Sequence, residues 1–107
     1  MQQLDSTFSA LSDSTRRAIV SRLASKEATL SEIAEPFDMT LTAVSKHVRV
    51  LSDAGLVHLE KRGRTRYCRL NAVPMKDAAN WLEEYRQFWT ERLEALARHL
   101  EETEKKS

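Results

Sequence analysis

The chain of 107 residues contains few of the residues that interrupt helices or cross-link chains. It has two glycines and two prolines, and residues with good helix propensity dominate the rest. Its single cysteine, Cys68, excludes an intrachain disulfide framework and fits a reducing compartment. These scarcities favour a mainly α protein that forms one domain without disulfides.

Long hydrophobic runs are also missing. The apolar runs reach three residues, as in Ala18-Ile19-Val20, which is too short for a transmembrane helix. The stretch Met1 to Phe8 has neither the basic segment nor the apolar segment of a secretory signal. We therefore expect a soluble, cytoplasmic protein that makes no membrane contact.

The first two helices are predicted from capping residues and apolar spacing. The first covers about residues 5–12, begins at an Asp or Ser cap, and has Phe8 on its apolar face. Asp13 caps the second, whose first turn carries Arg16 and Arg17. Positive charge is unfavourable there unless an anion is near, so both arginines are candidate phosphate contacts. Simple solvation is an equal alternative.

Two further helices follow, with a short turn between them. Thr29 and Glu32 have the T-x-x-E spacing of a capping box, and Pro36 ends this third helix early. Thr40 caps the fourth helix, and Gly55 can end it in the left-handed conformation. The fourth helix has an apolar stripe, Leu41, Val44, Val48 and Leu51, and an opposite face of small or basic side chains, Thr42, Ala43, Ser45, Lys46 and Arg49.

A β-hairpin is predicted after the fourth helix. Residues 56–60 and 66–70 alternate apolar and polar side chains, with Val57 and Leu59 on one face of the first strand. The five residues between them, Lys61 to Thr65, are mostly basic. A helix with a small, basic face followed by a basic-tipped hairpin is the layout of a winged helix-turn-helix.

Positive charge is concentrated in this unit. The whole chain has a formal net charge of +1, yet Lys46 to Arg69 carries +5 and the remainder carries −4. Such a concentration indicates a surface for a polyanion, with a solvated charged face as the alternative.

A long last helix is predicted from about residue 74 to 102, with Pro74 in its first turn. It carries two adjacent apolar seams, which is more than one small core can bury. We therefore expect a homodimer with aromatic anchors, rather than aromatics that cover the chain's own core. The predicted interface consists of Phe8, Trp81, Tyr85, Phe88, Trp89 and Leu96.

The runs DSTRRAIVSRL and TLSEIAEPFDMTLTAVSKHVRVLSDAGLV, followed by RGR before a second strand, resemble the arsenic-repressor (ArsR/SmtB) family of bacterial transcriptional regulators. The resemblance covers about residues 5–102. It implies one winged helix-turn-helix domain over residues 1–107, mainly α with a small β-hairpin, in the order of four helices, two strands and a fifth helix. It also implies dimerisation through the terminal helices (about 5–12 and 74–102). The dimer would bind a palindromic operator in double-stranded DNA and repress transcription.

The resemblance and the exposed face together assign roles on the fourth helix. Thr42 and Ser45 would hydrogen-bond to base edges or phosphates, and the methyl group of Ala43 could contact a thymine methyl. Lys46 and Arg49 would reach guanine acceptors or phosphates.

The hairpin tip, or wing, supplies three more candidate contacts. Arg64, beside Gly63, suits a narrow A·T-rich minor groove, whereas Arg62 and Arg66 suit phosphates.

His47 lies on the inner side of the fourth helix and is expected to pack there, with a phosphate contact as the alternative.

The family includes metal sensors, but the thiol pair of their third helix is missing here. One cysteine and three histidines are too few for a thiolate site, and Cys68 is expected in the core. His99 with Glu102 lacks the family's Asp-x-His spacing. No metal, no cofactor and no enzymatic activity are therefore predicted, because catalytic motifs are also missing. The alternatives to a homodimeric DNA-binding repressor are a protein-interaction module and a metal- or redox-responsive version of the repressor. A small-molecule inducer, not identified by the sequence, is a further candidate partner.

Overall fold

The computed structural model describes residues 2–106. The order of elements is α1 (Gln2–Ala10), α2 (Ser14–Ser25), β1 (Ala28–Thr29), α3 (Leu30–Ala34), α4 (Leu41–Asp53), β2 (Val57–Arg62), β3 (Thr65–Leu70) and α5 (Val73–Lys106). The strands form an antiparallel sheet in the order β1-β3-β2. The predicted mainly α winged helix-turn-helix is confirmed. Within the described residues, no helix is long and apolar enough to cross a membrane.

The predicted caps of α2, α3 and α4 are present. The side chain of Asp13 accepts a hydrogen bond from the Arg16 backbone N–H, and Thr40 accepts from the Ala43 N–H, both at 3.1 Å. Thr29 and Glu32 make both bonds of the capping box. These bonds satisfy backbone donors that have no partner inside the helix.

The cap predicted for α1 is wrong. Asp5 and Ser6 lie inside this helix, which already includes Gln2. The side chain of Gln3 donates to the carbonyl of Ala54 at 3.1 Å, which ties the first turn to the rest of the protein. Such a tertiary contact can extend a helix past a favourable capping residue.

Strand β1 was not predicted, because two residues carry no periodicity. It pairs with β3 through Ala28 opposite Cys68 and Thr29 opposite Tyr67. The hairpin of β2 and β3 closes with Arg62 opposite Thr65, so its turn contains two residues rather than the predicted five. Gly63 has φ 63°, as the first central residue of a type II′ turn requires.

One core joins the helices to the sheet. Val44, Val48 and Leu51 of α4 are fully buried, as predicted, against Ile19 of α2 and Ile33 of α3. Two residues of the predicted apolar faces extend past the core. Leu41, in the first turn of α4, is 51% exposed. Leu59 is 43% exposed although Val57, on the same face of β2, is buried.

Helix α5 packs on the rest of the chain only near its beginning. Ala78 is buried and Trp81 is half-buried, whereas residues 82–105 are exposed. A helix of 34 residues is about 50 Å long, and the longest dimension of the molecule is 72 Å. The second half of α5 therefore projects away from the winged helix.

Candidate nucleic-acid interface

The small and basic face of α4 lies at the protein surface. Thr42, Lys46 and Arg49 are exposed, while Ala43 and Ser45 are half-buried. A shallow groove of about 310 Å³ runs along this face. Its lining residues are Leu30, Leu41, Thr42, Ser45, Lys46 and Arg49. Four of the five sequence-predicted residues of this helix are thus together on one surface, whereas Ala43 is half-buried and does not line the groove.

The wing adjoins the beginning of α4. Arg64 and Arg66 line a second groove, of about 400 Å³, together with Thr65, Thr29, Leu30, Ser31 and Leu41. Leu30 and Leu41 border both grooves. The face of α4 and the wing tip therefore form one continuous surface, which we call the basic face.

Arg62 differs from the other wing arginines, because its guanidinium is already paired. It donates to both carboxylate oxygens of Glu27, at 2.8 and 3.0 Å, and to Glu60 at 2.9 Å. It also stacks on the ring of Tyr67, 4.5 Å from the centroid. These partners raise the pKa of Arg62, and its hydrogen bonds lower the pKa values of Glu27 and Glu60. A phosphate contact of Arg62 stays a prediction that would require these carboxylates to be displaced.

The two arginines of α2 both donate to backbone carbonyls at or just after the end of α1. Arg16 is half-buried, and its Nε donates to the carbonyl of Ala10 at 2.6 Å. Arg17 is exposed and donates to the carbonyl of Leu11 at 2.8 Å. Both phosphate contacts stay predictions, and each competes with internal hydrogen bonds.

His47 is half-buried on the inner side of α4, where the sequence places it. Its Nδ1 lies 3.4 Å from Nη1 of Arg16 and 3.8 Å from Oδ2 of Asp13. The Arg16 backbone N–H, more than any other group, lowers the pKa of Asp13. Sequence patterns do not predict this cluster, because His47 lies 31 residues after Arg16 along the chain.

The aromatic residues predicted for an interface fall into two groups. Phe8 of α1 packs against Trp81, with ring centroids 5.6 Å apart, and Trp81 against Tyr85 at 4.3 Å. Further along α5, Phe88 and Trp89 form a second pair at 5.7 Å. Tyr85, Phe88, Trp89 and Leu96 are about half exposed. Together with Leu82, Leu93 and Leu100, these four residues form an uncovered apolar face on α5.

Cys68 is fully buried in the sheet, as predicted. Burial raises the pKa of its thiol to about 11, so it carries almost no thiolate at neutral pH. Among residues 2–106, no group of three or more His, Cys, Asp or Glu side chains is arranged to hold a metal ion.

Comparisons with known proteins agree with this architecture. A family described as a helix-turn-helix domain matches residues 11–60. The transcriptional repressor SdpR of Bacillus subtilis is 32% identical over 79 residues, which span 74% of this chain and 88% of SdpR.

Two solved structures extend the comparison to three dimensions. The crystal structure of an ArsR family transcriptional regulator is 42% identical, covers 83% of this chain and 92% of its own, and has a TM-score of 0.77. The homodimeric winged helix-turn-helix domain of a possible ArsR-family regulator from Mycobacterium bovis is 28% identical, covers 87% and 83%, and has a TM-score of 0.63. The chain therefore belongs to the ArsR family of winged helix-turn-helix, DNA-binding transcriptional regulators.

Proposed function

We propose that the chain is a homodimeric repressor that binds a palindromic operator in double-stranded DNA. The observation that carries the proposal is the basic face, where the exposed side of α4 and the tip of the wing meet at Leu30 and Leu41. This is the arrangement in which a helix enters the major groove while a neighbouring loop reaches the adjacent backbone or minor groove.

On the basic face, α4 supplies the groups that can read bases. Thr42 and Ser45 offer hydroxyl donors and acceptors, and Lys46 and Arg49 offer cationic donors for guanine or phosphate. Ala43 is the smallest side chain of the set and would let the helix approach a thymine methyl closely. The small residues lie in the first half of α4 and the basic ones follow, so we expect the beginning of the helix to approach the bases closely.

The wing supplies groups that hold the protein on the DNA. Arg64 follows Gly63 at the turn, and its side chain is exposed together with that of Arg66. We expect Arg64 in the minor groove and Arg66 on a phosphate. Arg62 supports the wing from its base through Glu27 and Glu60, and would turn to a phosphate only after those ion pairs open.

The homodimer is supported by the apolar face of α5 and by the homodimeric domain from M. bovis, which has the same fold. A two-fold dimer presents two copies of α4, and successive major grooves on one side of DNA are about 34 Å apart. The operator should therefore consist of two inverted half-sites. Repression is supported by the similarity to SdpR, which is itself a transcriptional repressor.

Selection of genomic fragments by the purified protein would give the operator, and fluorescence anisotropy would then give its affinity. We expect a palindromic site whose affinity falls steeply with salt, because basic side chains release counterions from phosphates. Replacing Lys46 or Arg49 with alanine should cost about 1–3 kcal/mol of binding free energy for a base contact. Lys76→Ala, at an exposed lysine of α5, is the matched control. If both α4 variants bind the operator as the wild type does, α4 is not the recognition helix.

A second pair of operators tests the wing. Arg64→Ala should lose more affinity on an operator with A·T-rich flanks than on one with G·C-rich flanks, because a narrow minor groove attracts arginine. Equal losses on the two operators would identify Arg64 as a phosphate contact.

A further inference from the structure

We infer that Arg16 and His47 are positioning residues, which join the end of α1 to α4 and hold the recognition helix in place for operator binding. The inference rests on the proposed function, and it gives Arg16 a role that differs from a direct phosphate contact. Two sets of contacts carry it, one at each end of α1.

The first set is centred on the guanidinium of Arg16, which uses three nitrogen atoms in three directions. Nε donates to the carbonyl of Ala10 at 2.6 Å, and Nη2 donates to the carbonyl of Ser9 at 3.3 Å. Both carbonyls belong to the last turn of α1, where helical donors run out, and the Ser9 carbonyl also accepts from the backbone N–H and the hydroxyl of Ser12. Nη1 points to Nδ1 of His47 on α4, at 3.4 Å. One side chain of α2 thus joins two other helices.

His47 is placed to receive this contact. It lies on the side of α4 that carries the buried Val44 and Leu51, and it is itself half-buried. A neutral imidazole accepts a hydrogen bond at one ring nitrogen, which Nδ1 can do from Arg16. Asp13, which caps α2, lies 3.8 Å from the same Nδ1 and fixes the backbone of Arg16 through its N–H. Asp13 therefore holds the backbone of Arg16 beside His47.

The second set of contacts lies at the other end of α1. The side chain of Gln3 donates to the carbonyl of Ala54, the C-cap residue of α4, at 3.1 Å. Between the two ends, α1 runs beside the last turns of α4 and forms an open groove of about 390 Å³, lined on the α4 side by Val50, Asp53 and Ala54. Helix α1 is thus connected to α4 at two places. Arg16 joins it to His47 near the middle of α4, and Gln3 joins it directly to Ala54 at the end of α4.

The same α1 also packs on α5 through Phe8 and Trp81. Because α5 carries the apolar face proposed for dimerisation, α1 lies between the dimer surface and the recognition helix. The distance between the two copies of α4 in a dimer then depends on how firmly α1 is bonded to α4. Loss of the Arg16 contacts should let the distance between the two copies of α4 vary more widely. Operator binding should then weaken although no DNA contact is removed.

The exchange Arg16→Lys separates this role from a phosphate contact. Lysine keeps the positive charge, so it can still bind a phosphate, but one ammonium group cannot reach Ser9, Ala10 and His47 as the planar guanidinium does. We expect operator affinity to fall by about tenfold, the equivalent of about 1.4 kcal/mol and of one lost hydrogen bond to a charged group. Affinity for non-specific DNA and the salt dependence should stay at their wild-type values.

His47→Ala should reproduce the loss, and the double variant should lose little more than either single variant, because both changes remove one shared contact. Arg22→Lys, further along α2, is the matched control and should bind as the wild type does.

Binding is compared on the selected operator and on one whose half-sites are one base pair further apart. Arg16→Lys should discriminate less between the two, an effect that general loss of stability would not produce. Circular dichroism confirms that each variant is folded at the temperature of the assay.

Wild-type affinity of Arg16→Lys, or strictly additive losses in the double variant, would overturn the positioning role. A parallel loss of affinity for specific and non-specific DNA, with a smaller salt dependence, would also overturn it in favour of a phosphate contact. The proposed function survives all of these results as long as the wild type binds its operator. Failure of the wild-type protein to bind DNA would refute both.

Discussion

Replacing Trp89 with alanine should weaken self-association of the chain by at least two orders of magnitude. Trp89 lies on the uncovered face of α5, where it is 54% exposed and contacts the ring of Phe88 edge-on. Within the part of the chain that the structure describes, residues 2–106, nothing covers this face between residues 82 and 105. A second copy of α5 would cover it in the proposed homodimer.

The size of the effect follows from the exposed area. A buried tryptophan removes up to about 250 Å² from water, so the exposed part of Trp89 corresponds to roughly 130 Å². At about 25 cal/mol per Å², its burial contributes about 3 kcal/mol per protomer and about 6 kcal/mol per dimer. If only half of this is realised, the dissociation constant of the dimer rises about 100-fold, since each 1.4 kcal/mol is a factor of ten.

Sedimentation equilibrium over a range of protein concentrations measures that constant directly. Leu59→Ala is the matched control, because Leu59 is a comparably exposed apolar residue, at 43%, on β2 and away from α5. The dimer of Leu59→Ala should have the same dissociation constant as the wild-type dimer. An unchanged constant for Trp89→Ala, or a wild type that remains monomeric at all concentrations, would refute dimerisation through this face.

Three further predictions concern stability and reactivity. Thr29→Ala removes the acceptor for the Glu32 N–H, so urea denaturation should show a loss of about 1 kcal/mol in the free energy of unfolding; a loss near zero would mean that the cap does not stabilise α3. The pKa of Glu32 is lowered from its ordinary 4.5 mainly by the Thr29 backbone N–H, so its stabilising effect is complete above pH 4.5 and disappears as the pH falls through the lower folded value. Thermal melts of wild type and Glu32→Gln should therefore differ at pH 7 and converge in acid, and a constant difference would exclude this linkage. Cys68 should resist alkylation at neutral pH until the protein unfolds, because it is buried and the pKa of its thiol is raised to about 11; rapid labelling of the folded protein would contradict this.

Local signals in the sequence were sufficient for most of the fold. The caps at Asp13, Thr29 and Thr40 depend on interactions within one helical turn, so residue type and spacing identify them. The apolar stripe of α4 has the period of a helix and corresponds to its buried side, except at Leu41, where the core has already ended. The basic-tipped hairpin after α4 then indicated a winged helix-turn-helix, and the family resemblance implies the same fold.

Contacts between distant segments were beyond the sequence patterns. Arg62 and Glu27 are 35 residues apart, and residue spacing does not predict their ion pair, which occupies the guanidinium for which a phosphate contact is predicted. Arg16 and His47 are 31 residues apart, and residue spacing predicts a phosphate contact or solvation for Arg16 and packing for His47, but not the contact between them. Strand β1 also depends on its partner β3 rather than on its own two residues. Side-chain partners of this kind depend on the packing of whole elements, which residue spacing does not encode.

The pairing of Arg62 also bears on how the basic face would meet DNA. Because Glu27 and Glu60 offset the charge of Arg62, the unpaired positive charge on this surface is concentrated at Lys46 and Arg49 on one side and at the wing tip on the other. The apolar Leu30 and Leu41 lie between these two groups. An uninterrupted basic stripe would suit a single phosphate backbone. Two basic groups with an apolar strip between them suit a protein that contacts DNA at two separate places, with α4 in a major groove and the wing in the minor groove beside it.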